Sequence, residues 1–286
     1  PAGAHGQPVV QELPPFTGVS VSISRDGDSD TDGDTDGDND RGRMPLTSLV
    51  WHAHPARAGV VVLVLHGGAV EGRQPNRVFS HNVIRMLPFA LALAKGPGPI
   101  AVARLRMRFR GWNGDEASPL VDAGWALEQV RAFYPGAPIA LVGHSMGGRV
   151  ALHLGAEPDV RLVLGLSPWI EKGDPRPGPD CQTVLIHGDR DVICPLWGSR
   201  RAVDEMVAQG RKAALIRVAR SDHAMLLRAR LWTRLVTGVV RAVFADELGG
   251  CDERGSGQPA SGRDEEVDPV DAAVQTAVHE GGIVDL

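Results

Sequence analysis

Residues 143–147 read Gly-His-Ser-Met-Gly, a G-x-S-x-G run. An apolar strand signal precedes it at residues 139–142 and a helical one follows at residues 146–155. That context gives the pattern chemical meaning. Glycines at both ends let the chain turn sharply between strand and helix, which lifts the Ser145 hydroxyl clear of the sheet. The Met146 N–H, at the start of the helix, then faces any negative charge that develops on a carbonyl oxygen attacked by Ser145. A serine hydroxyl is a weak nucleophile and needs a base, which in turn needs orienting. Two downstream loops offer both. Residues 187–195, His-Gly-Asp-Arg-Asp-Val-Ile-Cys-Pro, follow a strand signal at residues 183–186. Residues 221–225, Ser-Asp-His-Ala-Met, follow another at Ala213–Val218. Polar residues just beyond the C-terminal ends of parallel strands share one crevice. Ser145, an aspartate of the first loop (Asp189 or Asp191) and His223 can therefore converge despite their separation in the chain. Asp222 adjoins the histidine, and side chains of consecutive residues diverge, so it reads as a solvated loop acid.

The elements that must hold these groups alternate between strand and helix. Val19–Ile23 and residues 49–51 read as a β-hairpin whose loop carries an Asp-rich run. Val60–Leu65 is a continuous apolar run, as in a parallel strand buried on both faces. Helix signals cover residues 83–94, 119–133, 199–209 and 228–248, and further strand signals cover residues 100–109 and Val160–Leu166. This order predicts an α/β fold: a mostly parallel central sheet with the N-terminal hairpin and with helices on both faces.

Residues 65–69 (Leu-His-Gly-Gly-Ala), 143–148 (Gly-His-Ser-Met-Gly-Gly), 187–195 and 221–225 carry a family resemblance. From about residue 60 to 244 the chain resembles the α/β-hydrolases, near the compact dienelactone-hydrolase-like members. The order Ser, Asp, His is that of the family. The family's acid sits in a G-x-x-D-x-x-x-P pattern, matched here by Gly188, Asp191 and Pro195, so the resemblance selects Asp191. It also implies that the second oxyanion donor is the Gly68 N–H, with Ala69 next, and that His66 holds that loop. The implied chemistry is cleavage of a carboxylic ester or similar acyl bond through an acyl-enzyme. Acyl transfer and peptidase action with the same triad stay open, as does a non-catalytic protein that keeps the fold.

Other features bound the reading. The chain has 286 residues, 43% hydrophobic and 23% charged, enough for one sizeable core and too apolar for disorder throughout. The apolar runs fall far short of a membrane span, and the first 25 residues lack an apolar signal core, so a cytoplasmic protein with no membrane partner is expected. Cys181, Cys194 and Cys251 form neither a disulfide framework nor a metal site, and no cofactor is expected. Residues 44–245 carry 25 Lys+Arg against 15 Asp+Glu, a net +10, with the acidic residues concentrated outside. The basic residues are scattered, which argues against nucleic acid as a partner and leaves a small acyl substrate. The domain is expected to span residues 1–248, with residues 26–43, which hold eight aspartates, as a disordered loop. Residues 249–286 read as a disordered acidic tail with at most a short helix near Pro269–His279. Only 16 residues separate the strands ending at Leu166 and starting at Thr183, too few for a helical cap. The site should then be open, walled by Trp112 and Trp169, and selective for acyl groups of roughly six carbons or fewer, since a longer chain repays only a deep apolar tunnel. Arg104, Arg106, Arg108 and Arg110 alternate along one strand signal and read either as a positive rim or as paired surface arginines.

Overall fold

The computed structural model describes residues 19–23, 46–249 and 267–286. The Asp-rich run at residues 26–43 lies outside them. Nine strands form one sheet: β1 (Val19–Ile23), β2 (Thr47–Ala53), β3 (Val60–Leu65), β4 (Ile100–Arg106), β5 (Ile139–His144), β6 (Val160–Leu166), β7 (Gln182–Gly188), β8 (Ala213–Val218) and β9 (Gly282–Asp285). Their order is β1-β2-β4-β3-β5-β6-β7-β8-β9. Every neighbouring pair is parallel except β2 with β4.

Helices α1 (His81–Arg85), α2 (Leu87–Ala94), α3 (Ser118–Phe133), α4 (Met146–Leu154), α5 (Leu196–Ala208), α6 (Ala229–Val243) and α7 (Pro269–His279) cover the two faces. The strand period of two divides β3 between them. Val61, Leu63 and Leu65 join α3, α4 and α5 in one apolar core, and Val60, Val62 and Val64 join α2, α6 and α7 in the other. All six residues of β3 are fully buried, as its unbroken apolar sequence requires.

Two expectations are corrected. β1 and β2 are neighbours, but they run parallel, with Val19 opposite Thr47, so they are not a hairpin. Alternating residues suit either direction, and the long segment between these strands can carry the crossover that a parallel pair needs. The C-terminal segment is no structureless tail over residues 267–286. Asp268 caps α7 by accepting from the Val270 N–H at 2.8 Å, and Pro269 occupies the first turn. Val270, Ala273, Val274 and Ala277 then fall on one buried stripe. β9 extends the sheet beyond β8, and the Ala219 N–H donates to Leu286 O at 2.7 Å. The short helix expected near Pro269–His279 forms as α7; what the acidic average composition conceals is its packed face and the strand β9 that follows.

Three of the four alternating arginines are paired. Arg104 donates to His52 Nε2 and Val83 O, Arg106 to Ser48 Oγ and Asn76 O. Arg108 Nε lies 2.6 Å from Oδ1 of the fully buried Asp122. Burial pushes that aspartate's pKa upward against the pull of Arg108. β4 ends at Arg106, three residues short of the expected end.

Candidate active site

Ser145 stands between β5 and α4 with φ 53° and ψ −117°, a strained conformation for a residue with a side chain. The surrounding glycines are required by close approach. A Cβ on Gly143 would collide with the Gly147 carbonyl, and one on Gly147 would lie 2.5 Å from Leu65 O. The strand thus turns into the helix against the end of β3.

The loops after β7 and β8 are stitched together. A Cβ on Gly188 would strike the Ser221 carbonyl, and the Arg190 N–H donates to that same oxygen at 3.0 Å. Trp232, fully buried in α6, donates from Nε1 to Ser221 Oγ at 2.8 Å, which fixes the start of the histidine loop. Across this seam His223 Nδ1 lies 2.7 Å from Asp191 Oδ2. The other oxygen, Oδ1, accepts the backbone N–H of Ile193 at 2.9 Å and of Cys194 at 2.8 Å. Asp189 instead accepts the Arg220 N–H at 2.7 Å and is exposed. Burial alone would raise the Asp191 pKa, but hydrogen bonds from His187, His223 and the Cys194 N–H outweigh it and hold the carboxyl well below the usual range.

Ser145 Oγ points at Cys194 Sγ, 3.9 Å away, and among the described residues it is not hydrogen-bonded to His223. Such bonds are often long or unmade in a resting enzyme. Burial, then the nearby Asp191 charge, pushes the Cys194 thiol up to about 11, so it stays protonated beside the serine.

Gly68 and Met146 are in contact: a Cβ on Gly68 would lie 2.6 Å from Met146 Sδ. Their backbone N–H groups meet no acceptor among the described residues, whereas the Ala69 N–H donates to Arg110 O at 2.8 Å. That leaves Gly68 the better placed of the two loop donors. His66 is fully buried beneath this loop, donating from Nδ1 to Gly67 O at 2.7 Å and accepting the Met107 N–H on Nε2 at 3.1 Å. It braces the loop, as the sequence suggests.

Trp112 and Trp169 clasp Arg149. Its guanidinium lies 4.1 Å from one ring centroid and 4.4 Å from the other, and the indoles meet edge-on at 5.9 Å. Arg149 is held in turn by Asp174 at 2.8 Å and Glu171 at 3.0 Å. Trp112 is thereby buried, and the half-buried Trp169 is tied to the elbow by its N–H to Ser145 O at 3.0 Å. This packing accounts for both tryptophans without a substrate.

Two histidines contribute more than their sequence positions suggest. His187 Nε2 sits 2.7 Å from Cys194 O and 3.3 Å from Asp191 Oδ2, while its Nδ1 meets Ser199 Oγ at 2.8 Å. It closes the acid loop onto α5. Its sequence signal is its place at the end of an apolar strand run, four residues before Asp191. His144, inside the G-x-S-x-G run, bonds His223 O through Nε2 at 3.0 Å and packs its ring 4.7 Å from the His223 ring. A cleft of about 690 Å³ lies at the N-terminal ends of β7, β8 and β9, among Arg211, Lys212, Asp246 and His279, at the far end of these strands from the Asp191 and His223 loops.

Burial, aided by the nearby His223, lowers His144 to about 3, and burial lowers His66 to about 4. Both rings are neutral when folded, and an unfolded chain protonates them below about pH 6.5. Their stabilisation is therefore complete above that value and is lost as pH falls toward about 4. Tm measured from pH 7.5 to about 4 should decline steadily below about 6.5. A flat profile would mean that the buried rings take up protons without unfolding.

Residues 61–253 match the family model described as the alpha/beta hydrolase family. Among solved structures, a lidless a/b serine hydrolase from Xanthomonas campestris is 19% identical with a TM-score of 0.52, covering 76% of this chain and 91% of its own. Est1E from Butyrivibrio proteoclasticus, with ferulic acid bound, is 15% identical with a TM-score of 0.53, covering 70% and 96%. A serine hydrolase homologue from Coxiella burnetii is 14% identical with a TM-score of 0.51, covering 67% and 89%. No curated protein matches the chain. At these identities the likeness is one of fold, while the matched model spans most of the chain: this protein belongs to the α/β-hydrolase family.

Proposed function

We propose that the protein is a serine hydrolase that cleaves a carboxylic ester or similar acyl bond, with Ser145 as nucleophile, His223 as base and Asp191 as the orienting acid. The observation that carries this reading is the Asp191–His223 bond of 2.7 Å set beside a serine with φ 53° at a strand–helix elbow. Ser145 Oγ attacks the carbonyl carbon and gives its proton to His223 Nε2. The N–H groups of Gly68 and Met146 take the charge on the carbonyl oxygen. The tetrahedral species collapses, the C–O bond to the alcohol breaks, and His223 protonates the leaving oxygen. Water then attacks the acyl-enzyme, giving its proton to His223, and the acid departs with Ser145 restored.

Small acyl groups suit this site. Residues 167–181 cross from β6 to β7 without a helix. Asn76 pins the loop between β3 and α1 to the segment just after β4, donating to Met107 O at 3.0 Å and Phe109 O at 2.7 Å, which keeps that loop from folding over Ser145. Trp112 and Trp169 enter this proposal only as the packed floor beside the elbow.

A fluorophosphonate probe tests the reading. It should add its mass once, on the peptide containing Ser145, and abolish hydrolysis of p-nitrophenyl acetate. A folded protein that stays unlabelled would be a non-catalytic member. Adding an acceptor alcohol and measuring the ratio of new ester to acid then separates transfer from hydrolysis.

A further inference from the structure

The base proposed above hangs on the loop after β8, while its serine stands at the end of β5, and β6 and β7 lie between them. At about 4.8 Å per strand the base must reach back about 14 Å. Most of its anchors do not aim it that way. The Arg220 N–H donates to Asp189, the Arg190 N–H to Ser221 O and Trp232 Nε1 to Ser221 Oγ, and His223 Nδ1 bonds Asp191. These contacts tie the loop to the acid loop and to α6. Among the described residues, one hydrogen bond joins it to the serine elbow: His144 Nε2 to His223 O at 3.0 Å.

The acceptor fixes the chemistry of that bond. A carbonyl oxygen only accepts, so His144 carries its proton on Nε2 and leaves Nδ1 bare. Burial, aided by His223, lowers the ring's pKa to about 3 and keeps it in this neutral form. Nδ1 has no partner among the described residues, and a Cβ on Gly67 would lie 3.0 Å from it. The buried ring is thus wedged between the Gly67 loop and the His223 loop, tilted 46° against the His223 ring at 4.7 Å. An orphaned nitrogen at this depth costs stability that a phenylalanine of similar size would not. What the histidine supplies in return is the Nε2–H, set one residue from the nucleophile and aimed at the backbone of the base. We propose that His144 is a positioning residue: it draws the His223 main chain toward the elbow, so that the imidazole oriented by Asp191 lies within reach of Ser145. This role rests on the Ser145–His223–Asp191 reading, and part of its test needs no turnover.

Three variants separate the donor from the ring. His144→Phe keeps a ring and removes the donor. His144→Asn carries an amide too short to reach His223 O, and His144→Gln carries one long enough. The phenylalanine and asparagine variants should lose about tenfold to hundredfold in kcat for p-nitrophenyl acetate, with KM within about twofold, because a small misplacement of a catalytic group costs on that order. The glutamine variant should keep about a third or more of the wild-type kcat. A histidine that only fills space would lower Tm without that split between kcat and KM and without rescue by glutamine. Two variants lack the donor, so failure of one to fold leaves the other. Proton NMR reads the base directly. The His223 Nδ1 proton held on Asp191 should give a far-downfield signal in the wild type, assigned by its loss in His223→Gln. It should persist in the glutamine variant and broaden away in the other two. A folded phenylalanine or asparagine variant with wild-type kcat would overturn the proposal, as would a glutamine variant as slow as these or a downfield signal unchanged in all three. A wild type left unlabelled by fluorophosphonate would instead remove the esterase reading, while the NMR signal still decides whether His144 places His223.

Discussion

Ser145→Ala should lower kcat for p-nitrophenyl acetate by about 10⁶, with Tm within a few degrees of wild type. The loss expected from the proposed mechanism is large because no other group near Ser145 can replace it as nucleophile. Cys194 is the nearest reactive atom, 3.9 Å from Ser145 Oγ, but burial and the Asp191 charge hold its thiol at about 11, so little thiolate exists at neutral pH. What survives is the background from the Gly68 and Met146 N–H groups acting on bound ester with water as nucleophile. Stability changes little because the strain resides in the backbone at φ 53°, which serine and alanine feel alike. The β-sheet bonds around the elbow, such as Ser145 N–H to Leu166 O at 3.0 Å, do not involve the hydroxyl. Turnover and Tm of the purified variant settle the point. A variant that retains most of its kcat would place the nucleophile elsewhere, and the fluorophosphonate adduct would then identify it.

What could be read from the sequence follows from what each signal is made of. β3 and the helices facing it were plain, since an apolar run buried on both sides has few alternatives. The elbow was plain because two glycines and a serine between a strand and a helix have a steric reason to be there. The direction of β1 was not legible. Alternating residues suit both pairings, and the choice rests with the long connection that follows. The helix near Pro269–His279 was legible, but its packing and β9 were not, because acidic residues between the apolar positions lower the average while leaving the stripe Val270, Ala273, Val274, Ala277 intact. In the site, the loop residues offer Asp189 or Asp191 beside His223, the family resemblance selects Asp191, and the 2.7 Å contact joins Asp191 to His223. The supporting contacts of His187 and His144 could not be read from the sequence, because each depends on which strand lies beside which. Trp112 and Trp169 were near the elbow as expected, but proximity in a loop says nothing about which cation fills the space between two rings.

The two loop acids make the sharpest contrast. Asp191→Asn should lower kcat by about 10⁴, and Asp189→Asn should change it less than about threefold. The reason lies in the donors around Asp191. Three N–H groups point at its two oxygens: the Ile193 and Cys194 amides at Oδ1, and His223 Nδ1 at Oδ2. A carboxylate accepts all three. An asparagine offers one oxygen and an NH₂. The two rigid backbone amides claim the oxygen, which turns the NH₂ toward His223 Nδ1. That nitrogen can then no longer be the donor, so the ring shifts its proton to Nε2, the atom that must be bare to receive the Ser145 proton. The loss is therefore one of tautomer and falls on kcat, with little change in KM for a small ester. Asp189 has no such geometry. It accepts one backbone N–H, from Arg220 at 2.7 Å, in an exposed loop, and asparagine accepts it equally well. Steady-state kinetics of both variants on one short ester decides between them. A collapse of kcat in Asp189→Asn with Asp191→Asn near wild type would move the orienting acid to Asp189 and leave the 2.7 Å Asp191–His223 bond without a catalytic role.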